Sequence, residues 1–162
     1  MSYFAAVLAR ADEKWFGTEI SLDGCESVDD IADVARDVAA EVRLLVVEQD
    51  DEYAVLVRVD GDEQARVFLS DGHAADGYPL AALVADELDE IGEPELDEEL
   101  AEHAPPAHDS APFGDPSVAE DLGTSPAELL ALCAREGTLP IDLIVAVCDR
   151  AGCADAFEAV RG

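Results

Sequence analysis

Positive charge is what this chain most lacks. Eight arginines and a single lysine, Lys14, stand against 39 Asp and Glu residues in a chain of 162, a formal net charge of −30. Affinity for a phosphate backbone rests on Lys and Arg displacing condensed counterions, so direct RNA or DNA binding is disfavoured. The same repulsion disfavours an anionic membrane surface. A basic protein surface, by contrast, is attracted, and long-range steering speeds its approach. The charge also serves plain solubility, and the preference for arginine, with abundant alanine, fits a genome of high G+C content.

Long apolar runs are missing too. No stretch free of charged residues exceeds nine positions, too short for the roughly 20 residues of a membrane-spanning helix. The start, MSYFAAVLARADEK, has neither the basic lead nor the long apolar stretch of a signal peptide. This reading places the protein in the cytoplasm, where Cys25, Cys133, Cys148 and Cys153 are expected as reduced thiols. Aromatic residues are few, one Trp, three Tyr and five Phe, so the expected core is aliphatic and modest. The length suits one ordinary domain, or a domain of about 90 residues with a small helical unit.

Recognisable catalytic motifs are absent. The cysteines form no CxxC pair. Cys133 and Cys148 fall on apolar helix faces, and His103 and His108 sit in a proline-rich stretch. The zinc site that can be drawn from these residues and Cys153 therefore yields to buried structural thiols. Ser70, Asp71 and His73 lie within four residues, too close in sequence to converge as a triad with an exposed serine elbow, and they read as turn residues. No phosphate-binding glycine loop occurs. Carboxylate pairs are too numerous for their spacing to mean anything. The His-x-Glu and Pro-Cys-x-x-Cys segments of the zinc nucleobase deaminases are also missing. No catalytic residue, metal ligand or cofactor is assigned, and the chain is read as a non-enzyme.

What is present is a β-meander over Leu44–Gly72, the stretch around which the rest is organised. Leu44 to Val47 is a short apolar run suited to a strand covered on both faces, and Tyr53, Val55, Val57 and Val59 alternate at period two. A three-residue Gly61-Asp62-Glu63 loop sets Val57 against Val67, Leu56 against Phe68 and Val55 against Leu69. A two-residue loop would turn every side chain to the wrong face, so the odd-length loop is favoured. Arg58 then lies opposite Arg66, a like-charge pair costing roughly a few tenths of a kcal/mol unless a carboxylate or anion lies between. Asp60, Glu63 or a helix carboxylate can neutralise it. The alternative is an anion site, or a contact for an acidic partner, at Arg58 and Arg66.

Ahead of the meander, Tyr3 to Ala9 and Trp15 to Leu22 read as a hairpin. Ser27 caps a helix, with Asp30 three residues on, whose stripe of Ile31, Val34, Ala35, Val38 and Val42 ends near Arg43. A second helix is expected over Tyr78–Ile91. The order is ββαβββα, an α+β fold with an antiparallel sheet of about five strands and helices packed on it, spanning 1–91. Residues 92–116 read as an acidic, proline-rich linker, too poor in apolar surface to offset its ordering entropy. From there to 162 the pattern is a small helical unit. Ser125-Pro126-Ala127-Glu128 is a capping box with proline at the first helical position, and Pro140 opens a further helix. A unit of about 45 residues needs the sheet or a partner to dock against. The densest acidic run is Asp86, Glu87, Asp89, Glu90, Glu93, Glu95, Asp97, Glu98 and Glu99, which reads as a self-repelling spacer or as a surface for a basic partner.

SYFAAVLAR with Trp15, VEQDDEYAVLVRVDGDEQARVFLSD, and LLALCAREGTLPIDLIVAVCDRAGCADAFEAVR together resemble the tRNA adenosine deaminase-associated proteins of high-G+C bacteria. The resemblance covers both ends and the middle, and the acidic linker contributes nothing to it. It implies a setting in tRNA wobble adenosine-to-inosine modification and carries over no catalytic residue. The implied function is a non-enzymatic accessory whose acidic surface engages the deaminase or another basic protein. The alternatives are a small enzyme or ligand-binding protein, with a site between sheet and helices near Arg58, Arg66, Ser70, Asp71 and His73, and a nucleic-acid-mimicking inhibitor.

Overall fold

The computed structural model describes residues 3–22, 24–59, 65–71, 77–84, 113–134 and 139–161. Strands β1 (Phe4–Ala11) and β2 (Lys14–Glu19) pair antiparallel, with Ala11 opposite Lys14 across a two-residue turn. Both turn residues, Asp12 and Glu13, are left-handed (φ 53° and 66°), as the tight turns that match strand twist require. Strands β3 (Val42–Gln49) and β4 (Tyr53–Val59) are joined by a second acidic turn in which Asp50 and Asp51 are also left-handed (φ 54° and 58°).

Strand β5 (Arg66–Leu69) completes the meander in the register deduced from apolar pairing: Val57 faces Val67, Leu56 faces Phe68, Val55 faces Leu69, and Arg58 faces Arg66. The loop residues 60–64 lie outside the described residues. The result is the expected α+β architecture, a five-strand antiparallel sheet carrying helices. A two-residue strand, β6 (Phe113–Gly114), extends it beside β5, so that the order is β2-β1-β3-β4-β5-β6. Residues 92–112 of the stretch read as a linker lie outside the described residues.

The first helix departs from its sequence reading. α1 (Val28–Arg36) starts as expected, with Ser27 Oγ accepting from the Asp30 N–H, but ends seven residues before Arg43. Sheet pairing overrides the helical period there: Val42 sits opposite Arg10 and Arg43 opposite Ala9, while the Glu41 N–H donates to the Arg10 carbonyl. The Arg43 guanidinium turns back to donate to the Val38 carbonyl at 2.6 Å. α2 comprises the described helical residues 79–84, and the remainder of the helix expected up to Ile91 lies outside the described residues.

Each face of the sheet has its own core. Val7, Leu45, Val47, Val55, Val57 and Leu69 pack against α1 and α2. On the opposite face Leu8, Leu44, Val46, Leu56 and Phe68 pack against a 3-10 helix (Pro116–Leu122), α3 (Pro126–Ala134), α4 (Pro140–Ala151) and α5 (Ala154–Arg161). Period-two strands deliver alternate side chains to the two cores, which is why Leu44–Val47 of β3 and Tyr53–Val57 of β4 are apolar on both faces. The Ser125 cap of α3 forms as expected, its Oγ accepting from the Glu128 N–H.

α5 reaches the edge strand at Gly17. A Cβ there would run into Val160 Cγ2 and stand 2.8 Å from the Ala156 carbonyl oxygen, so only glycine permits this approach of helix to strand. Gly17→Ala is expected to lower stability by about 1–3 kcal/mol through overpacking, read as a lower urea midpoint at unchanged slope. An unaltered midpoint would mean that α5 does not bear on β2.

Candidate functional site

Arg58 projects from β4 into the core beneath the 3-10 helix and is 2% exposed. A buried guanidinium needs a paired charge and hydrogen bonds to offset its desolvation. The helix brings the carboxylate: Asp121 accepts two bonds from Arg58, at 2.6 and 2.7 Å, in the forked geometry that guanidinium and carboxylate share. The Val118 carbonyl accepts a further bond at 3.3 Å. Arg66, opposite on β5, donates to the Ser117 carbonyl at 3.2 Å. The two facing arginines therefore pin the 3-10 helix to the sheet. Asp115 begins that helix, its Oδ1 accepting from both the backbone and the hydroxyl of Ser117.

Among the described residues, a cleft of about 180 Å³ lies between the end of the sheet and the α3–α4 pair. The acidic β3–β4 turn contributes Asp51 and Glu52, the chain leaving β5 contributes Ser70 and Asp71, α3 contributes Leu132 and Cys133, and the start of α4 contributes Leu139, Pro140 and Leu143. Left-handed backbone at Asp50 and Asp51, held by an Asp51 N–H bond to Glu48 Oε1 at 2.9 Å, places the two turn carboxylates at the rim. Ser70 extends the β4–β5 ladder: its N–H donates to the Ala54 carbonyl, and its Oγ accepts from the Ala54 N–H at 2.8 Å.

These contacts limit the cleft's chemistry. The Ser70 hydroxyl is engaged in the sheet. The Cys133 thiol is pushed up to about 12 by burial, with the Asp71 carboxylate adding to the shift, so it stays protonated and is a poor nucleophile or metal ligand. Glu48, behind the turn, is likewise raised by burial, and the N–H of Asp51 opposes that shift. Among the described residues no group of three His, Cys, Asp or Glu is placed to hold a metal ion. A cleft lined by Asp51, Glu52 and Asp71 together with Leu132, Leu139 and Leu143 can take a cationic side chain with an aliphatic stem, which packs its methylenes and presents its charge to the acids.

Of the residues singled out in the sequence, Ser70 and Asp71 line this cleft, while Arg58 and Arg66 pair at the other end of β4 and β5, under the 3-10 helix, so the structure does not bring the arginines to the cleft. His73, His103, His108 and the run Asp86–Glu99 lie outside the described residues. Sequence reasoning missed Asp51, Glu52, Leu132, Cys133, Leu139, Pro140 and Leu143 as partners. The acidic turn was visible as a turn, but nothing local shows that the α3–α4 pair comes to rest against it. Every described Asp and Glu apart from Glu48, Asp71 and Asp115 is exposed.

Fold and cleft together define an acidic α+β protein with three carboxylates, those of Asp51, Glu52 and Asp71, lining a cleft at one end of its sheet. The chain belongs to the family of Rv3753c-like tRNA adenosine deaminase-associated proteins, whose model it matches over residues 3–154, from the first strand to the start of the last helix. No curated protein and no solved structure matches it.

The Arg58–Asp121 pair yields a pH signature. Asp121 is held below its ordinary value of 3.8, chiefly by the hydrogen bonds from Arg58. A depressed carboxyl contributes stability that is complete above its unfolded pKa and is lost as pH falls through the folded value. The side chain is 58% exposed, so solvent screens part of the effect. Asp121→Asn is expected to destabilise by about 1–2 kcal/mol at neutral pH, because the guanidinium stays buried. It should also flatten the loss of stability below about pH 4 in acid titrations of the urea midpoint. A variant as stable as the parent at neutral pH would show that the pair holds nothing.

Proposed function

We propose that this protein is a non-catalytic accessory of a tRNA adenosine deaminase and docks by its acidic surface on a basic, RNA-binding face of that enzyme. In this reading the carboxylate-rimmed cleft receives a basic side chain, and the run Asp86–Glu99 adds charge that steers the encounter. The observation that carries the proposal is the cleft, which Asp51, Glu52 and Asp71 line together with Leu132, Leu139 and Leu143, in a family named for association with the deaminase. Two further observations weigh against a hydrolytic or transfer enzyme at this site. The Ser70 hydroxyl is engaged in the sheet, and the Cys133 thiol is held protonated. The protein is expected to act in the cytoplasm, where tRNA modification takes place.

Calorimetric titration of purified tRNA adenosine deaminase with this protein, at low and at moderate salt, is the test. Micromolar or tighter binding that weakens as salt rises is expected. Glu52→Gln and Asp71→Asn should each lower affinity about two- to fivefold, whereas Asp29→Asn and Asp33→Asn, on the exposed side of α1, should change it little. No heat and no co-elution at low salt would overturn the proposal.

A further inference from the structure

The corner between α4 and α5 holds a pair of thiols that the acidic surface does not use. α4 ends at Gly152, which is left-handed (φ 89°). Its N–H donates to the Cys148 and Asp149 carbonyls, and the Cys153 N–H donates back to the Cys148 carbonyl at 2.9 Å. A helix end closed this way folds the second residue after the last turn over the residue five positions earlier, and their side chains meet. Here both are cysteines, both are buried, and their thiols lie within hydrogen-bonding reach of each other. The bonded path through the 2.9 Å contact caps the separation of their Cα atoms at about 7 Å, from standard bond lengths. Disulfides span roughly 4.4–6.8 Å.

We propose that Cys148 and Cys153 are an oxidation site, a dithiol that hydrogen peroxide closes into an intrachain disulfide across the α4–α5 corner. Sulfur of Cys153 attacks the peroxide oxygen, the O–O bond breaks, and one water leaves, giving a sulfenic acid. Sulfur of Cys148 then attacks that sulfur, the S–O bond breaks, and a second water leaves. The two thiol protons depart in the waters. The sulfurs together lose two electrons, and the peroxide gains them.

The contact with Cys148 favours attack by Cys153, lowering its thiol pKa while raising that of Cys148. Burial makes the reaction wait on opening of the corner, so its rate follows local unfolding of α5. Once formed, the bond fastens the helix that carries Phe157, edge-on to Phe4 at 5.8 Å, and Val160, against Gly17. Oxidation therefore locks the helical layer onto the sheet.

The experiment exposes the folded full-length chain to hydrogen peroxide, blocks remaining thiols with iodoacetamide and maps the digest. The expected product has lost two hydrogens in mass, links Cys148 to Cys153 and leaves Cys25 and Cys133 alkylated. Its thermal midpoint rises by about 5 °C, and added dithiothreitol reverses the shift. Trp15, whose indole Nε1 lies 4.0 Å from where a Cβ on Gly152 would stand, changes its emission in step. Cys148→Ser and Cys153→Ser should each abolish the link and the midpoint shift. The proposal is overturned if Cys25 or Cys133 oxidises while Cys148 and Cys153 still alkylate. It is equally overturned if both stay reduced for as long as the amides of α5 need to exchange with solvent, a comparison made on the unmutated chain.

Discussion

A sheet that is apolar on both sides must be covered on both sides, and most of this architecture follows from that demand. Leu44 and Leu45 are adjacent, point to opposite faces and are both fully buried. One cover, α1 and α2, comes from within and just after the strands. The other comes from the elements between Pro116 and Arg161. Burial of a Leu or Phe side chain contributes about 1.5–3 kcal/mol, and Leu8, Leu44, Leu56 and Phe68 all draw that contribution from the second cover. The C-terminal helices are thus one wall of the core. Arg58 supplies the polar complement, because its burial on this face is tolerable only while Asp121 is overhead.

The acidity of the chain works within this frame. All four non-glycine residues with left-handed backbone among those described, Asp12, Glu13, Asp50 and Asp51, are acids. Aspartate tolerates that conformation better than most side chains, so turns can be built with carboxylates where other proteins use Asn-Gly. One of these turns is also the rim of the cleft. The same residues therefore close a hairpin and set the electrostatic character of the cleft, and a substitution there alters both at once.

How much of this was legible in the sequence depended on how local the deciding physics was. The β4–β5 register followed from Val55, Val57, Val67 and Leu69, because a slip of one residue would have inverted every side chain. The caps at Ser27 and Ser125 were readable for the same reason, each involving a bond three residues away. The end of α1 was not. Val42 fits the helical stripe perfectly well by spacing, and only its pairing with Arg10 claims it for β3. β6 was missed because two residues carry no period. The cleft was half visible: Ser70 and Asp71 had been noted beside the arginines, but its apolar wall comes from α3 and α4, more than 60 residues further along the chain. Asp121 as the partner of Arg58 lies 63 residues away, and sequence reading reached only the requirement for a carboxylate.

The order of the strands bears on the protein's birth as well as its final form. All neighbours from β1 to β5 are already made by residue 69, and α1 and α2 are in place by residue 84. The other face must wait for its cover. A ribosome adding about 5–20 residues each second needs roughly 4–15 s for residues 85–161, and through that interval Leu8, Leu44, Val46, Leu56 and Phe68 form a bare apolar plane. Nascent chains on neighbouring ribosomes would stick together by such planes. Mutual repulsion between chains carrying an excess of carboxylates opposes such contact, so the acidity that marks the finished protein also acts while it is half made.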